Sequence, residues 1–183
     1  MEKLDEKILI FRLRVGKDPE AFGKLYDKYV SRIYRFIYFK VPTQEEAQDL
    51  TSEAFLKPWQ HISEGKAVRT LGPLIFQIAR NLVVDFYRSR SRTPPQVSAE
   101  DIADIVDEKS LARLQLQGDL QTLRSALQHL KDEYREALVL RYIEGLSPGE
   151  ISGIIGKSGV ATRVLLHRAL QTLKGIVEGG VGK

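Results

Sequence analysis

Four carboxylates lie within nine residues of one another: Glu45, Glu46, Asp49 and Glu53. Positions 46, 49 and 53 share one face of a helix because residues three and four apart are neighbours there. Carboxylates gathered in this way can bind a metal ion or exchange protons with a substrate. Acidic side chains on a helix are much more often solvated, and we expect that role here.

The three histidines do not supply a catalytic or metal-binding pattern. His61, His129 and His167 lie far apart, and none belongs to a His-Glu-x-x-His or Glu-x-x-His spacing. The chain also has no cysteine, no Gly-rich phosphate-binding loop and no Gly-x-Ser-x-Gly nucleophile motif. We therefore expect no catalytic residues, no metal, no cofactor and no enzymatic activity.

Basic side chains near the carboxyl end form a more informative pattern. The segment from position 157 to position 174 carries no acid and four cations, which are Lys157, Arg163, Arg168 and Lys174. A surface with only positive charges suits nucleic-acid phosphates. The alternative is an ordinary helical hairpin with a solvated basic face.

Helices are the elements expected to position these residues. Apolar residues recur at helical spacing between Phe11 and Phe86. Asp18-Pro19 predicts the start of a helix, and Thr43 with Glu46 predicts a second start that carries Ala47, Leu50, Ala54 and Leu56 inward. A third helix is expected from about Pro73.

The middle of the chain changes character. Residues 93 to about 120 hold six acidic and two basic side chains after a Thr-Pro-Pro break. We interpret residues 93–119 as a flexible acidic linker between two small helical domains, 1–92 and 120–183. The predicted fold class is therefore all-α.

A helix-turn-helix is predicted in the second domain. Ser147-Pro148-Gly149-Glu150 combines an N-cap, a proline at the first helical position and a capping box, and predicts a helix over roughly 148–155. Residues 156–158 form a turn, and a longer helix follows from about 159 to 177. In this motif the second helix enters the DNA major groove.

The composition is compatible with two small soluble domains. The chain has 183 residues, 43% of them hydrophobic, which is enough for a buried core, and its formal net charge is +4. The amino end has no apolar signal region, and no apolar stretch is long enough to cross a membrane. We expect a soluble cytoplasmic protein without membrane insertion.

Three stretches of the sequence together resemble one family. They read EEAQDLTSEAFLKPWQHI, IARNLVVDFYRSRSR, and LVLRYIEGLSPGEISGIIG followed by LLHRALQTLK. In this order the stretches resemble regions 2 and 4 of the sigma-70 superfamily, in its extracytoplasmic-function (ECF) group. The resemblance implies a sigma factor that directs promoter-specific transcription initiation.

The resemblance also implies roles for individual residues. Asp49, Glu53 and Trp59 match the helix that binds the β′ clamp of RNA polymerase. Recognition and melting of the −10 element would fall to Lys66, Arg69, Arg80, Asn81, Asp85, Arg88, Arg90 and Arg92. Recognition of the −35 element would fall to Lys157, Ser158, Gly159, Thr162, Arg163, His167 and Arg168.

The implied partners are the polymerase core, through its β′ clamp and β flap, and promoter DNA, with an anti-sigma factor as a further candidate partner. The alternative function is a dimeric helix-turn-helix regulator that acts without polymerase. The chain departs from the family pattern at Pro58, which is expected to end or kink the clamp-binding helix near Lys57.

Melting DNA requires help from a larger machine. Opening about ten base-pair steps costs on the order of 14 kcal/mol, whereas stacking one captured base returns about 1–3 kcal/mol. A linker of about 26 residues spans at most about 86 Å, and two turns of DNA span about 70 Å. The two domains are therefore expected to reach separate promoter elements, and weak binding to DNA is expected without polymerase.

Overall fold

Every regular element among residues 2–63, 68, 71–90 and 123–178, which the structure describes, is helical. The structure is a computed structural model. The helices are α1 Glu2–Gly16, α2 Pro19–Tyr38, α3 Gln44–Ser63, α4 Leu71–Arg90, α5 123–128, α6 Asp132–Leu138, α7 Pro148–Ile155 and α8 Gly159–Glu178. None of the helices in these ranges is long and apolar enough to cross a membrane.

The predicted starts of α2 and α3 are confirmed in atomic detail. The Asp18 carboxylate accepts hydrogen bonds from the amides of Glu20 and Ala21 at 3.0 and 3.3 Å. Thr43 and Glu46 form a reciprocal capping box with distances of 3.1 and 3.3 Å. These bonds satisfy amide groups that lack partners within the helix, and so they determine where each helix begins.

No helix was predicted from the sequence at the position of α1. This helix buries Ile10 and Leu13 against the other helices of the first domain. Its Glu6 carboxylate accepts hydrogen bonds from Lys28 at 2.8 Å, from the Tyr29 hydroxyl at 2.7 Å and from the Leu71 amide at 3.0 Å. One buried acid thus joins α1 to α2 and to the first residue of α4.

Two expectations about α3 need correction. The predicted end near Lys57 is wrong, because the helix continues through Pro58 to Ser63; a kink at this point stays a prediction. Leu56 does not point inward, because its side chain is 60% exposed, and Phe55 is buried in its place. Ala47 and Ala54 are fully buried as predicted, so the difference is confined to the exchange of position 56 for position 55.

The second domain departs from regular α-helix at two places before α7. A turn at residues 129–131 separates α5 from α6. A single π-helical turn over Val139–Ile143 then extends α6. The predicted α7 and α8 are present. Gly156 lies between them with φ of 70°, a left-handed conformation that glycine adopts at little cost.

The two domains are in contact. Their buried apolar residues form one continuous cluster, to which α4 and α7 contribute. Arg124 of the second domain donates hydrogen bonds to the carbonyls of Val41 and Pro42 at 2.8 and 2.6 Å. The chain is therefore closed: its two domains pack against each other.

Candidate nucleic-acid interface

The helix-turn-helix is built by capping at both of its helices. Ser147 and Glu150 form the predicted capping box at α7, with distances of 2.8 and 3.3 Å. At α8 the Ser158 hydroxyl accepts a hydrogen bond from the Ala161 amide at 3.2 Å. Ser158 therefore positions the amino end of α8, which is the end that enters a major groove in this motif.

One face of α8 is exposed and carries positive charge. Arg163, His167 and Arg168 are all exposed. His167 and Arg168 follow Arg163 by four and five residues, so the three side chains lie on neighbouring parts of the helix surface. Lys157 lies just before the helix and pairs with Glu133 at 3.5 Å. Gly159 begins the helix, and no atom lies within 4 Å of the position its Cβ would take.

Thr162 does not belong to this face. Its side chain is fully buried, and its hydroxyl donates a hydrogen bond to the Ser158 carbonyl at 2.9 Å. Val160 and Val164, on either side of Thr162 in sequence, are exposed. The predicted DNA contact of Thr162 is therefore corrected: this residue packs α8 against its own domain.

A second exposed face lies on α4. Asn81, Asp85 and Arg88 are exposed, and their spacing of four and three residues places them on one side of the helix. Arg90, at the end of the helix, pairs with Glu46 and lies 4.8 Å above the Phe86 ring. The structure thus brings together three of the eight residues predicted to contact the −10 element, and places Arg90 at the end of the same helix, against α3.

The remaining members of that set are elsewhere. Lys66, Arg69 and Arg92 lie outside the described residues. Arg80 is on α4, but its guanidinium donates to the Glu136 carboxylate of the second domain at 3.1 Å. In the closed chain Arg80 therefore binds protein.

The acidic face of α3 is exposed as predicted from its sequence. Asp49 and Glu53 lie on one side of the helix together with Leu56. Glu53 pairs with Lys57 at 3.1 Å, and both side chains are about half exposed. A groove lined by Tyr26, Tyr34, Gln48 and Ser52, among others, separates α3 from α2 beside this face.

Trp59 lies at the edge of the core. Its ring packs edge-on against Phe22, with the ring centroids 4.6 Å apart, and it is only partly buried. The indole therefore stabilises the contact between α2 and α3. The part that remains exposed lies near the end of α3.

Sequence reasoning missed two buried glutamates at the contact between the domains. Glu136 accepts hydrogen bonds from Lys40 at 2.9 Å and from Arg80 at 3.1 Å. Glu144 pairs with Arg32 and with Arg35, each at 3.1 Å. Because these partners are separated by 56 to 112 residues, no local sequence pattern identifies them.

Burial dominates the electrostatics of this contact. It lowers the pKa of Lys40 below the ordinary lysine value, and the attraction of Glu136 offsets part of that effect. Lys40 is 8% exposed.

Within the described ranges no group of three or more acidic or histidine side chains could hold a metal ion.

Comparisons with known proteins agree with this architecture. The family models "Sigma-70 region 2" and "Sigma-70, region 4" match residues 25–93 and 120–173. The ECF RNA polymerase sigma factor BldN of Streptomyces coelicolor is 34% identical over 174 residues. The chain belongs to the ECF sigma factors of the sigma-70 family. Members of this family are non-enzymatic transcription initiation factors.

The similarity extends along most of this chain. The match to BldN covers 90% of this chain and 63% of that protein, slightly less than two thirds of its length. SigM of Bacillus subtilis is 28% identical over 162 residues, which cover 88% of this chain and 98% of that one. CnrH, solved in complex with the cytosolic domain of CnrY, shares the fold: its TM-score is 0.74 at 21% identity, with 96% and 98% of the two chains covered.

Proposed function

We propose that this sigma factor binds core RNA polymerase and directs it to promoters through both of its domains. Residues 1–92 bind the core and recognise and melt the −10 element, and residues 120–183 recognise the −35 element. Residues 93–119 join the two. The observation that carries the proposal is the order of the two family matches, each of which coincides with a domain that exposes a distinct charged helix face.

The acidic face of α3 is the proposed docking surface for the β′ clamp. Asp49 and Glu53 present carboxylates to solvent beside the exposed Leu56. In the proposed complex the partner would cover Leu56 and the neighbouring charges would form the rim of the contact. Trp59 contributes its exposed edge and keeps α3 in place against α2.

The −10 element is proposed to bind along α4. Asn81 can donate to and accept from base edges, and Arg88 and Arg90 can bind phosphates. Asp85 lies on the same face and is suited to accept hydrogen bonds from exocyclic amines of unpaired bases. Lys66, Arg69 and Arg92 are proposed as further phosphate contacts on the basis of the family resemblance.

The −35 element is proposed to bind α8 in the major groove. Arg163 is the residue best suited to base edges, because it is exposed in the second turn of the helix. His167, Arg168 and Lys157 flank it and are proposed to bind phosphates, and Ser158 and Gly159 allow the helix end to approach the backbone closely.

Further partners and the location of the protein follow from this role. CnrH was solved with the cytosolic domain of CnrY, and RpoE of Bartonella quintana was solved with the anti-sigma factor NepR. We therefore include an anti-sigma factor among the proposed partners. A protein that binds core polymerase acts in the cytoplasm, and this role requires no catalysis by the chain itself.

In vitro transcription tests the proposal directly. Purified chain, bacterial core polymerase and a genomic fragment library are expected to yield transcripts that start at defined sites, and core alone is the control. Transcripts with the same start sites in both reactions would overturn the proposal. A footprint of the chain alone on duplex DNA, without polymerase, would instead favour the dimeric regulator.

A further inference from the structure

Four cations lie on the side of the first domain that faces the second. Arg32 and Arg35 come from α2, Lys40 follows α2, and Arg80 comes from α4. We call them the covered cluster. Aromatic rings lie against them: Arg32 is 5.5 Å from the Phe76 ring centroid, and Lys40 is 4.9 Å from that of Phe36.

The acidic partners of the covered cluster all come from the other domain. Glu136 binds Lys40 and Arg80, and Glu144 binds Arg32 and Arg35. In the part of the chain that the structure describes, no carboxylate of the first domain pairs with these four cations. Two carboxylates of the second domain therefore pair with four cations of the first and offset two of their four positive charges.

Separation of the domains would expose a strongly cationic surface. The Glu136 and Glu144 side chains are 7% and 0% exposed in the closed chain. Their removal leaves four cations without a carboxylate partner, and water or another anion can then take the place of the two glutamates. Guanidinium groups bind the oxygens of phosphates as well as those of carboxylates.

We propose that the covered cluster is a phosphate-binding surface for promoter DNA, and that Glu136 and Glu144 occupy the phosphate positions in the free chain. This inference rests on the proposed function. DNA is the ligand that fits, because Arg80 is adjacent in sequence to Asn81, on the helix whose exposed face is proposed to bind the −10 element. The second domain thus competes with DNA for the first.

The competition explains how a chain with basic residues is kept from binding DNA indiscriminately. Each phosphate that a cation neutralises contributes about 0.9 to the slope of log affinity against log salt. The Lys40 side chain is only 9% exposed, and the three arginines, which are 30–44% exposed, have their guanidinium groups bound to the two glutamates. Pairing with the glutamates therefore lowers the nonspecific affinity, and the proposed binding to polymerase makes the cluster available if it separates the domains.

The first test measures binding of the full chain to promoter-length duplex DNA by fluorescence anisotropy, without polymerase, over a range of salt concentrations. Glu136→Gln with Glu144→Gln is expected to raise the affinity at low salt by about tenfold or more, with a steeper salt slope. The matched control is Asp27→Asn with Glu45→Gln, which removes two charges from exposed sites of the first domain. An equal gain in the control would overturn the proposal.

A second variant separates the covered cluster from the helix-turn-helix. Adding Arg32→Gln and Arg35→Gln to the double glutamine variant is expected to abolish most of the gain. If the gain persists, DNA binds elsewhere and the proposal is overturned. Transcription by the double glutamine variant with core polymerase is expected to be retained, and it reports on the proposed function independently of duplex binding.

Domain separation is measured in the same variants. The chain has no cysteine, so Gln60→Cys and Gln171→Cys, both at exposed positions, accept one dye pair for energy transfer. Transfer is expected to fall in the double glutamine variant and to remain high in the control. Unchanged transfer in the double glutamine variant would show that the two glutamates do not hold the domains together, and it would overturn the proposal.

Discussion

At the scale of single residues, Glu6 joins three parts of the first domain through its buried carboxylate. Burial alone would raise the pKa of its carboxyl, but hydrogen bonds from Lys28, Tyr29 and the Leu71 amide outweigh burial and hold the pKa below the ordinary value of 4.5. A carboxylate with a lowered pKa stabilises the folded state above its unfolded pKa. That contribution is lost as the pH falls through the folded pKa.

Replacing Glu6 with glutamine tests this contribution. Glu6→Gln is expected to lower the free energy of unfolding by about 1–3 kcal/mol near pH 7, because buried donors lose a charged acceptor. The difference from the unmodified chain is expected to shrink as the pH falls below about 4.5. Urea unfolding at several pH values measures this difference in the free energy of unfolding, and Glu20→Gln is an exposed control. A difference that does not depend on pH would contradict the proposed contribution of the Glu6 carboxylate.

Arg163 is the residue on which proposed −35 recognition depends most. Arg163→Ala is expected to weaken initiation at promoters with a −35 element by about 1–3 kcal/mol, because it removes contacts to base edges. Transcription from templates with and without the element measures the effect. Lys174→Ala, three helical turns farther along α8, is the control, and equal effects of the two variants would exclude Arg163 from the recognition surface.

At the scale of elements, α3 separates a structural face from a docking face. Phe55 and Trp59 contact α2, whereas Asp49, Glu53 and Leu56 face solvent. Pro58 leaves the helix continuous. Changes on the solvent face are therefore expected to alter binding without unfolding the domain.

Charge reversal tests that face. Asp49→Lys with Glu53→Lys is expected to lower the affinity for core polymerase by about tenfold or more, because like charges then meet across the interface. Competition for core against a labelled sigma factor measures it. Asp132→Lys with Glu178→Lys changes the net charge equally and is expected to leave core affinity unchanged; a similar loss in both variants would contradict the docking assignment.

At the scale of the whole molecule, the contact between the domains couples their stabilities. The shared apolar cluster and the two buried glutamates predict a single cooperative unfolding transition for the free chain. Glu136→Gln with Glu144→Gln is expected to leave Lys40 without a charged partner and to split this transition in two. Calorimetry distinguishes the cases, and one unchanged transition in the variant would show that the apolar contact alone couples the domains.

Local sequence determined the parts of this protein that depend on neighbouring residues. Asp18, Thr43 and Ser147 cap helices through bonds to residues two or three positions away, so their motifs were sufficient to predict α2, α3 and α7. Gly156 similarly marks the turn of the helix-turn-helix. The family resemblance came from the same short-range patterns.

Tertiary structure alone decided how the helices are rotated and which charges meet. The burial of Thr162 and the exposure of Leu56 depend on the direction from which other helices pack, and a spacing rule leaves that direction open by about one residue. The bond from Lys40 to Glu136 joins residues 96 positions apart. Such a pair follows from the docking of two folded domains, and for that reason Arg80, predicted as a DNA contact, is bound to Glu136 in the closed chain.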